Sequence, residues 1–294
     1  MADPVSALFP PLVPGLSAFV DDYDLILCDV WGVVHNGITA FPAAADALAR
    51  ARAGGRTVLL VSNAPRPNPF IVAMLDKLNV PRAAYDGVVT SGDVTRALIA
   101  ARPGVKVFHL GPPRDIGTFD GLDMVKVPME EADLTVCTGL LDDEVETPDD
   151  YADLLARMKA RALPFICANP DLVVERGDKL VYCAGAIAKA YEDMGGETVF
   201  CGKPYPAIYQ AALAKAAELR GAPVAPARVL GIGDALRTDI AGANDAGFDS
   251  LFIASGIHAG ELNAVDGQVP DEASLSALFE GHAHPRGVMA RLAW

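Results

Sequence analysis

Polar side chains follow several short apolar segments of this sequence, and their types suit one kind of chemistry. Asp29, Ser62 and Asp234 each come at the end of such a segment, and Lys203 follows a fourth, shorter one. Short apolar runs bounded by turn residues predict buried strands, and open α/β sheets bind ligands outside the carboxyl ends of their strands. We expect the four ends to share one sheet edge, where two carboxylates could bind Mg²⁺ and the lysine could contact a phosphate. These residue types predict phosphoryl transfer, with Asp29 as the attacking carboxylate.

The turn that follows Ser62 adds hydrogen-bond donors to this set. The hydroxyl of Ser62 and the backbone amides of Asn63 and Ala64 could donate hydrogen bonds to phosphate oxygens. Gly-Asp, Gly-Lys-Pro and Ser-Asn turns are each common by themselves, and an Asp at a strand end is usually a cap or a turn former. The order and spacing of all of them together carry the prediction.

The elements that must position these residues alternate along the chain. A Pro-rich segment, 1–22, is expected to lie on the surface before the first strand. Strand and helix patterns then alternate up to residue 104, which predicts a parallel sheet with right-handed crossovers. The predicted strands of this part are 25–29, 57–61 and 88–90, and the predicted helices are 43–52, 69–78 and 93–102, the last with Asp93 as its N-cap.

Strand and helix patterns continue to alternate after residue 104, but new blocks of this alternation begin near residues 105 and 198. Residues 282–294 are interpreted as a tail. The further predicted strands are 105–110, 134–137, 165–168, 198–200, 228–232 and 251–254, and the further predicted helices are 149–162, 185–194, 206–219 and 239–246.

Composition narrows the classes of function. The chain has 294 residues, 51% of them hydrophobic, which is enough for about two domains. Its net charge of −14 disfavours binding to nucleic acid or to anionic membranes, where Lys and Arg drive association. No apolar run reaches the ~18 residues of a membrane span, and the proline-broken N-terminus MADPVSALFPPLVPG lacks the positive region of a signal peptide.

The cysteines indicate a reducing compartment. They are scattered without any CxxC pair, mostly in apolar runs, which predicts buried free thiols. Together with the absence of targeting signals, this predicts a cytoplasmic protein. The five are Cys28, Cys137, Cys167, Cys183 and Cys201.

With these residues in view, the chain resembles the haloacid dehalogenase (HAD) superfamily. It is most similar to class IIA, the sugar phosphatases and nitrophenylphosphatases that carry a large type 2 cap. The resemblance extends from Asp24 to about Ser255. It rests on five motifs: DVWGV at 29–33, VSN at 61–63, NPD at 169–171, GKP at 202–204 and GDALRTDI at 233–240.

The resemblance implies a fold and a division of the chain. The fold is α/β, a doubly wound, Rossmann-like parallel-sheet core with an inserted α/β cap domain. The core would comprise residues 1–104 and 199–294, and the cap residues 105–198. The cap would choose the substrate, a small phosphorylated metabolite, and a homodimer is left open.

The resemblance also assigns metal ligands. Asp29 would be the nucleophile and would bind Mg²⁺ together with Asp234 and the backbone carbonyl of Trp31. Asp239 would support the metal. The cofactor that the resemblance implies is therefore Mg²⁺.

The resemblance also implies which residues bind the phosphoryl group and the substrate. Ser62 and Lys203 would orient the phosphoryl group. Asn63, Ala64 and Asn169, the last in the cap tripeptide, are the predicted substrate-binding residues.

Trp31 is where the sequence departs from the family phosphatases, which carry a second Asp at this position. That Asp protonates the leaving oxygen and then activates water, and tryptophan can do neither. His35, in the loop that follows the motif, is a candidate replacement for this proton donor, and the alternative interpretation is an exposed loop histidine. Dehalogenases of the superfamily have an aromatic residue here, but their small helical cap does not match this insert.

Two functions are therefore predicted. The first is a Mg²⁺-dependent phosphohydrolase that forms an aspartyl-phosphate on Asp29. The alternative is a phospho-ligand binding or regulatory protein with weak or no turnover. Trp31 favours the alternative, and the five retained motif residues favour the enzyme.

Overall fold

The computed structural model describes residues 10–176, 179–264, 267–282 and 284–294. The interpretation of the first nine residues therefore lies outside the described residues. The described chain forms two compact units. Unit 1 takes the described parts of 1–61, 73–88 and 209–294, and unit 2 takes those of 62–72 and 89–208. The predicted domain bounds stay a prediction.

Thirteen strands and eight α-helices are described, numbered here in chain order. The strands are β1 (Leu25–Asp29), β2 (Thr57–Ser62), β3 (Gly87–Thr90), β4 (Val105–Leu110), β5 (Met124–Lys126), β6 (Leu134–Cys137), β7 (Phe165–Cys167), β8 (Val173–Arg176), β9 (Lys179–Tyr182), β10 (Thr198–Phe200), β11 (Val229–Gly233), β12 (Asp249–Ile253) and β13 (Gly287–Met289). The helices are α1 (Pro42–Ala53), α2 (Asn68–Lys77), α3 (Ser91–Ala100), α4 (Ala152–Ala160), α5 (Ala184–Asp193), α6 (Pro206–Arg220), α7 (Ala241–Asp245) and α8 (Glu272–Phe279).

The sheet that carries Asp29 has six strands in the order β13-β12-β11-β1-β2-β3. The chain runs outward from β1 to β3 and later returns to β11 on the other side of β1, and both neighbours of β1 are parallel to it. Every residue of β1, β2 and β11 is buried, which explains why these segments are apolar without alternation. The carboxyl ends of β1 and β11 therefore flank the point where the strand order reverses, the usual ligand position of a doubly wound sheet. The predicted fold class is confirmed.

Unit 2 has its own parallel sheet, in the order β10-β7-β6-β4-β5, and an antiparallel hairpin of β8 and β9. Its core packs the inward faces of α4 and α5 against this sheet, with Leu155, Met158, Phe165 and Tyr191 almost completely buried. The rings of Phe165 and Tyr191 stack at 5.3 Å, and the Tyr191 hydroxyl donates to the carbonyl of Leu163 at 2.7 Å. This sheet positions the Asn169–Asp171 tripeptide at the end of β7.

One prediction about the site is wrong at this level. The segment Thr198–Phe200 was expected in the same sheet as Asp29, but it is β10 and pairs in parallel with β7 of the five-stranded sheet. Lys203 therefore follows a strand of that sheet. A three-residue strand carries no pattern that identifies its partner, because long-range pairing decides its place.

Local predictions also need correction. The N-cap of α3 is Thr90, and Asp93 is the third residue of the helix in a reciprocal capping box. The residues interpreted as a tail include β13, which is buried and pairs with β12. The segment predicted as helix 149–162 begins with a 3₁₀ turn before α4. The short strand β5, the β8–β9 hairpin and α8 were not predicted.

The predicted thiol state is confirmed, since all five cysteines are free and buried. Burial raises the pKa of Cys137 to about 12 and that of Cys201 to about 11, which makes these thiols poor nucleophiles. Among the described helices, none is long and apolar enough to cross a membrane.

Candidate active site

Three carboxylates of unit 1 meet at the carboxyl edge of the six-stranded sheet. Asp29 ends β1, Asp234 follows β11, and Asp239 lies in a π-helical turn, Leu236–Ile240. One oxygen of each lies within 4.8 Å of the others. All three are at most 8% exposed. The sequence motifs at 29–33 and 233–240 thus come together although they are some 200 residues apart.

Two glycines leave room for the carboxylate of Asp234. Gly32 has φ +82°, and a Cβ atom there would lie 2.1 Å from Oδ2 of Asp234. A Cβ atom on Gly256 would lie 1.9 Å from the same oxygen. The backbone N–H of Ile257 donates to that oxygen at 2.8 Å. Gly32 therefore fits the site for two reasons, its left-handed backbone and the lack of space for a side chain.

Asp239 is held by the turn that contains it. Its Oδ2 accepts from the backbone N–H of Ala235 at 3.1 Å, and its own N–H donates to the Ala235 carbonyl at 2.9 Å. A Cβ atom on Gly233 would lie 2.1 Å from Cβ of Asp239, so the strand end must be glycine. The backbone of the GDALRTDI motif therefore fixes Asp239, whereas Asp234 is held by the N–H of Ile257, outside the motif.

The chemistry of this donor set fits a hard divalent cation. Magnesium prefers oxygen ligands and usually keeps several waters, so one or two carboxylates are a sufficient direct contribution from the protein, and a third can support them. Three carboxylates held this closely repel one another in a buried setting, and a cation between them would offset the repulsion.

Trp31 lies on the loop that follows β1 and packs against His35. Their ring centroids are 5.2 Å apart at an interplanar angle of 73°. The two residues also form a backbone bridge, with the N–H of Gly32 donating to the His35 carbonyl at 2.8 Å. His35 is 0% exposed, so the interpretation of an exposed loop histidine is wrong. Its Nδ1 accepts from the backbone N–H of Gly37 at 2.8 Å, and burial lowers its pKa to about 4.

The backbone of Lys203 is hydrogen-bonded to the side chain of Asn63 in unit 2. Oδ1 of Asn63 accepts from the Lys203 N–H at 2.7 Å, and Nδ2 donates to the Lys203 carbonyl at 3.1 Å and to Asp171 Oδ1 at 2.8 Å. A Cβ atom on Gly202 would lie 2.3 Å from Asn63 Oδ1. Asn63 and Lys203 are each 5% exposed. Residues 62–63, 169–171 and 202–204, which belong to three of the sequence motifs, therefore converge in this unit.

The other predicted binding residues of unit 2 have local partners. The backbone N–H of Ala64 donates to Oγ of Ser62 at 3.2 Å. Oδ1 of Asn169 accepts from the backbone N–H of Asp171 at 3.1 Å. Ser62 and Asn169 are both largely buried.

Sequence reasoning missed Asp171, the glycines around Asp234 and the packing of His35. The NPD tripeptide contained a signal for Asp171, and the glycine of the DVWGV motif contained one for Gly32. Gly256 belongs to no motif recognised in the sequence. Its role depends on the way β12 returns beside β11, which a sequence pattern does not reveal.

Family models match both halves of the carboxylate site. A model described as haloacid dehalogenase-like hydrolase matches residues 26–124, and a second, described as HAD-hydrolase-like, matches residues 200–274.

Solved structures and characterised proteins agree with these models. A hydrolase of the haloacid dehalogenase-like family from Brucella suis 1330 is 50% identical and covers 96% of this chain and 100% of its own, with a TM-score of 0.84. D-glycerol 3-phosphate phosphatase of Mycobacterium tuberculosis is 29% identical over 83% of this chain, which spans 66% of that protein's length. A structure of glycerol phosphate phosphatase from M. tuberculosis in complex with calcium is 25% identical, covers 84% of this chain and 71% of its own, and has a TM-score of 0.64.

Proposed function

Because the chain belongs to the haloacid dehalogenase-like hydrolases, of the class IIA sugar-phosphatase type, we propose that it removes phosphate from a small phosphorylated metabolite. The observation that supports this most directly is the cluster of Asp29, Asp234 and Asp239, whose ligand oxygens lie within 4.8 Å of one another at the strand-order reversal of the sheet. The named substrate of the M. tuberculosis relative, D-glycerol 3-phosphate, indicates the size class.

In this proposal Asp29, Asp234 and the backbone carbonyl of Trp31 would hold Mg²⁺, and Asp239 would support it. The ion, when bound, would neutralise charge on the phosphoryl oxygens and on the attacking carboxylate. Asp234 is already oriented for this role by the N–H of Ile257. The calcium complex of the M. tuberculosis protein is consistent with a divalent ion of this kind.

Asp29 is the proposed nucleophile. One carboxylate oxygen forms a bond to phosphorus while the bond from phosphorus to the leaving oxygen breaks, and that oxygen keeps the electron pair. Water then attacks phosphorus, the bond to Asp29 breaks, and phosphate leaves. The carboxylate of Asp29 is thereby restored, and no redox change is involved.

Ser62 and Lys203 are proposed to bind the phosphoryl group, and Asn63, Ala64 and Asn169 to line the substrate position. The ammonium group of a lysine can balance the charge of a phosphoryl dianion. Asn63 supports this indirectly, because its amide holds the Lys203 backbone on both sides. The hydroxyl oxygen of Ser62 accepts a hydrogen bond from the backbone N–H of Ala64 in the turn.

The test is phosphate release from a panel of phosphate esters and anhydrides with Mg²⁺, by the purified protein and by Asp29→Asn. We expect turnover that EDTA stops and that the variant lacks. A phosphorylated Asp29 peptide, trapped by acid quench and identified by mass spectrometry, would support the covalent step. Tight Mg²⁺-dependent binding of phospho-ligands without turnover would favour the binding or regulatory alternative, and unchanged activity in Asp29→Asn would overturn the proposed nucleophile.

A further inference from the structure

The loop that follows Asp29 contains no acidic side chain. Residues 30–41, VWGVVHNGITAF, include one titratable group, His35. Any proton that this loop supplies to a leaving oxygen must therefore come from that imidazole.

The packing of His35 prevents it from donating a proton to a leaving oxygen. The side chain is 0% exposed. Since Nδ1 accepts from the N–H of Gly37, the proton of the neutral ring lies on Nε2. Nε2 is buried without a hydrogen-bond partner within the part of the chain that the structure describes. The ring of Trp31 packs against the imidazole in a T-shaped arrangement, with the two ring centroids 5.2 Å apart.

Trp31 is held in place from a second side as well. A Cβ atom on Gly37 would lie 2.5 Å from the indole Cη2, so the backbone of Gly37 lies directly against the ring. A backbone bridge also joins Trp31 to His35 and so connects the two ends of this part of the loop. The indole therefore cannot turn aside for another side chain of the loop unless the loop opens.

We propose that Trp31, fixed by His35 and Gly37, restricts the site to phosphoryl compounds whose leaving group departs as a stable anion. Acyl phosphates and aryl phosphates belong to this class, and alkyl phosphates such as glycerol 3-phosphate do not. This inference rests on the proposed function, because it takes Asp29 to be the attacking group.

The balance of each step explains the restriction. When Asp29 attacks an acyl phosphate, the breaking bond leaves its electron pair on a carboxylate, which needs no proton. An alkyl phosphate would leave an alkoxide, which does. The second step, hydrolysis of the aspartyl-phosphate, needs no acid either. The aspartyl-phosphate is itself an acyl phosphate, and Asp29 departs from it as a carboxylate. The proton of the attacking water passes to the released phosphate, which is feasible because phosphoryl transfer has a loose transition state.

The expected size of the effect follows from general acid catalysis, which contributes roughly 10²–10⁴-fold. We expect kcat/KM for acetyl phosphate and for 4-nitrophenyl phosphate to exceed that for glycerol 3-phosphate by about 10²-fold or more.

The experiment measures kcat/KM for these three compounds with Mg²⁺ in the wild type, Trp31→Asp, Trp31→Asn and Asp29→Asn. Trp31→Asp and Trp31→Asn leave nearly the same space, and only the former supplies an acid. We expect Trp31→Asp to raise the ratio of glycerol 3-phosphate to acetyl phosphate by about tenfold or more, and Trp31→Asn to leave it unchanged.

Two results would overturn the inference. One is wild-type cleavage of glycerol 3-phosphate within about tenfold of acetyl phosphate, and the other is an equal rise in Trp31→Asn and Trp31→Asp. Either result, with activity abolished in Asp29→Asn, would leave the proposed function standing. Activity retained in Asp29→Asn would instead remove the proposed function, and the inference with it.

Discussion

Asn63 and Lys203 exchange two hydrogen bonds across 140 residues of sequence. The amide oxygen of Asn63 accepts from the Lys203 N–H at 2.7 Å, and its nitrogen donates to the Lys203 carbonyl at 3.1 Å. The same nitrogen donates to Asp171 at 2.8 Å. Because an asparagine side chain pairs here with both polar groups of one backbone residue, it fixes the start of the Lys203 side chain.

Replacement of Asn63 by Ala is expected to lower both stability and turnover. It leaves the buried N–H and carbonyl of Lys203 without these partners, at a cost of about 1–3 kcal/mol for each unsatisfied group. The melting temperature and kcat for 4-nitrophenyl phosphate report the two effects. Asn68→Ala is the control, since Asn68 is exposed and its hydrogen bonds to Asp93 are at the surface. If Asn63→Ala kept wild-type kcat, the amide would have no part in positioning Lys203.

Gly32→Ala is expected to weaken metal binding as well as stability. The new methyl group would overlap Oδ2 of Asp234, which must then move away from the other two carboxylates. Gly55→Ala is the matched control, because Gly55 also has a positive φ but has no atom within 4 Å of a Cβ position. Both variants should lose stability through backbone strain of about 1 kcal/mol, and only Gly32→Ala should need more Mg²⁺ for half-maximal activity. Equal magnesium requirements in the two variants would contradict the assigned role of Gly32.

The sequence was sufficient to predict the family, the doubly wound fold and a phosphatase-type hydrolase, and the family models and relatives confirm these three. They depend on local signals. A fully apolar strand that ends in Asp29 and a Gly-Asp turn after β11 can each be recognised from a few neighbouring residues. The chemical roles of the individual site residues stay predictions.

Long-range features were beyond a sequence pattern. The short strand β10 was placed in the wrong sheet because three residues do not specify a neighbour. The burial of His35 depends on the way its loop folds back to form a bridge with Trp31. The contact of Gly256 with Asp234 depends on where β12 lies. Each of these is decided by pairing or packing between segments that are distant or irregular.

Magnesium is expected to raise the melting temperature through the carboxylate cluster. A ligand that binds only the folded state at a hundredfold of its Kd stabilises it by about 2.7 kcal/mol. Asp234→Asn removes one of the three clustered carboxylates and should reduce the shift strongly. Asp245→Asn, which neutralises an exposed carboxylate on α7, should retain it. Thermal unfolding with and without Mg²⁺ measures both, and an unchanged shift in Asp234→Asn would show that the ion binds elsewhere.

Buried His35 should make the protein lose stability as the pH falls from about 6.5 to about 4. Burial lowers the pKa of His35 to about 4 in the folded state, while the unfolded chain has the ordinary value near 6.5. Between these values the unfolded state binds more protons, so acid favours unfolding, and each unit of difference is worth about 1.4 kcal/mol. Chemical denaturation at several pH values should therefore give a flatter profile for His35→Phe in this window. His282→Gln, which changes an exposed histidine, should leave the slope as it is, and a parallel slope in His35→Phe would mean that other groups cause the acid sensitivity.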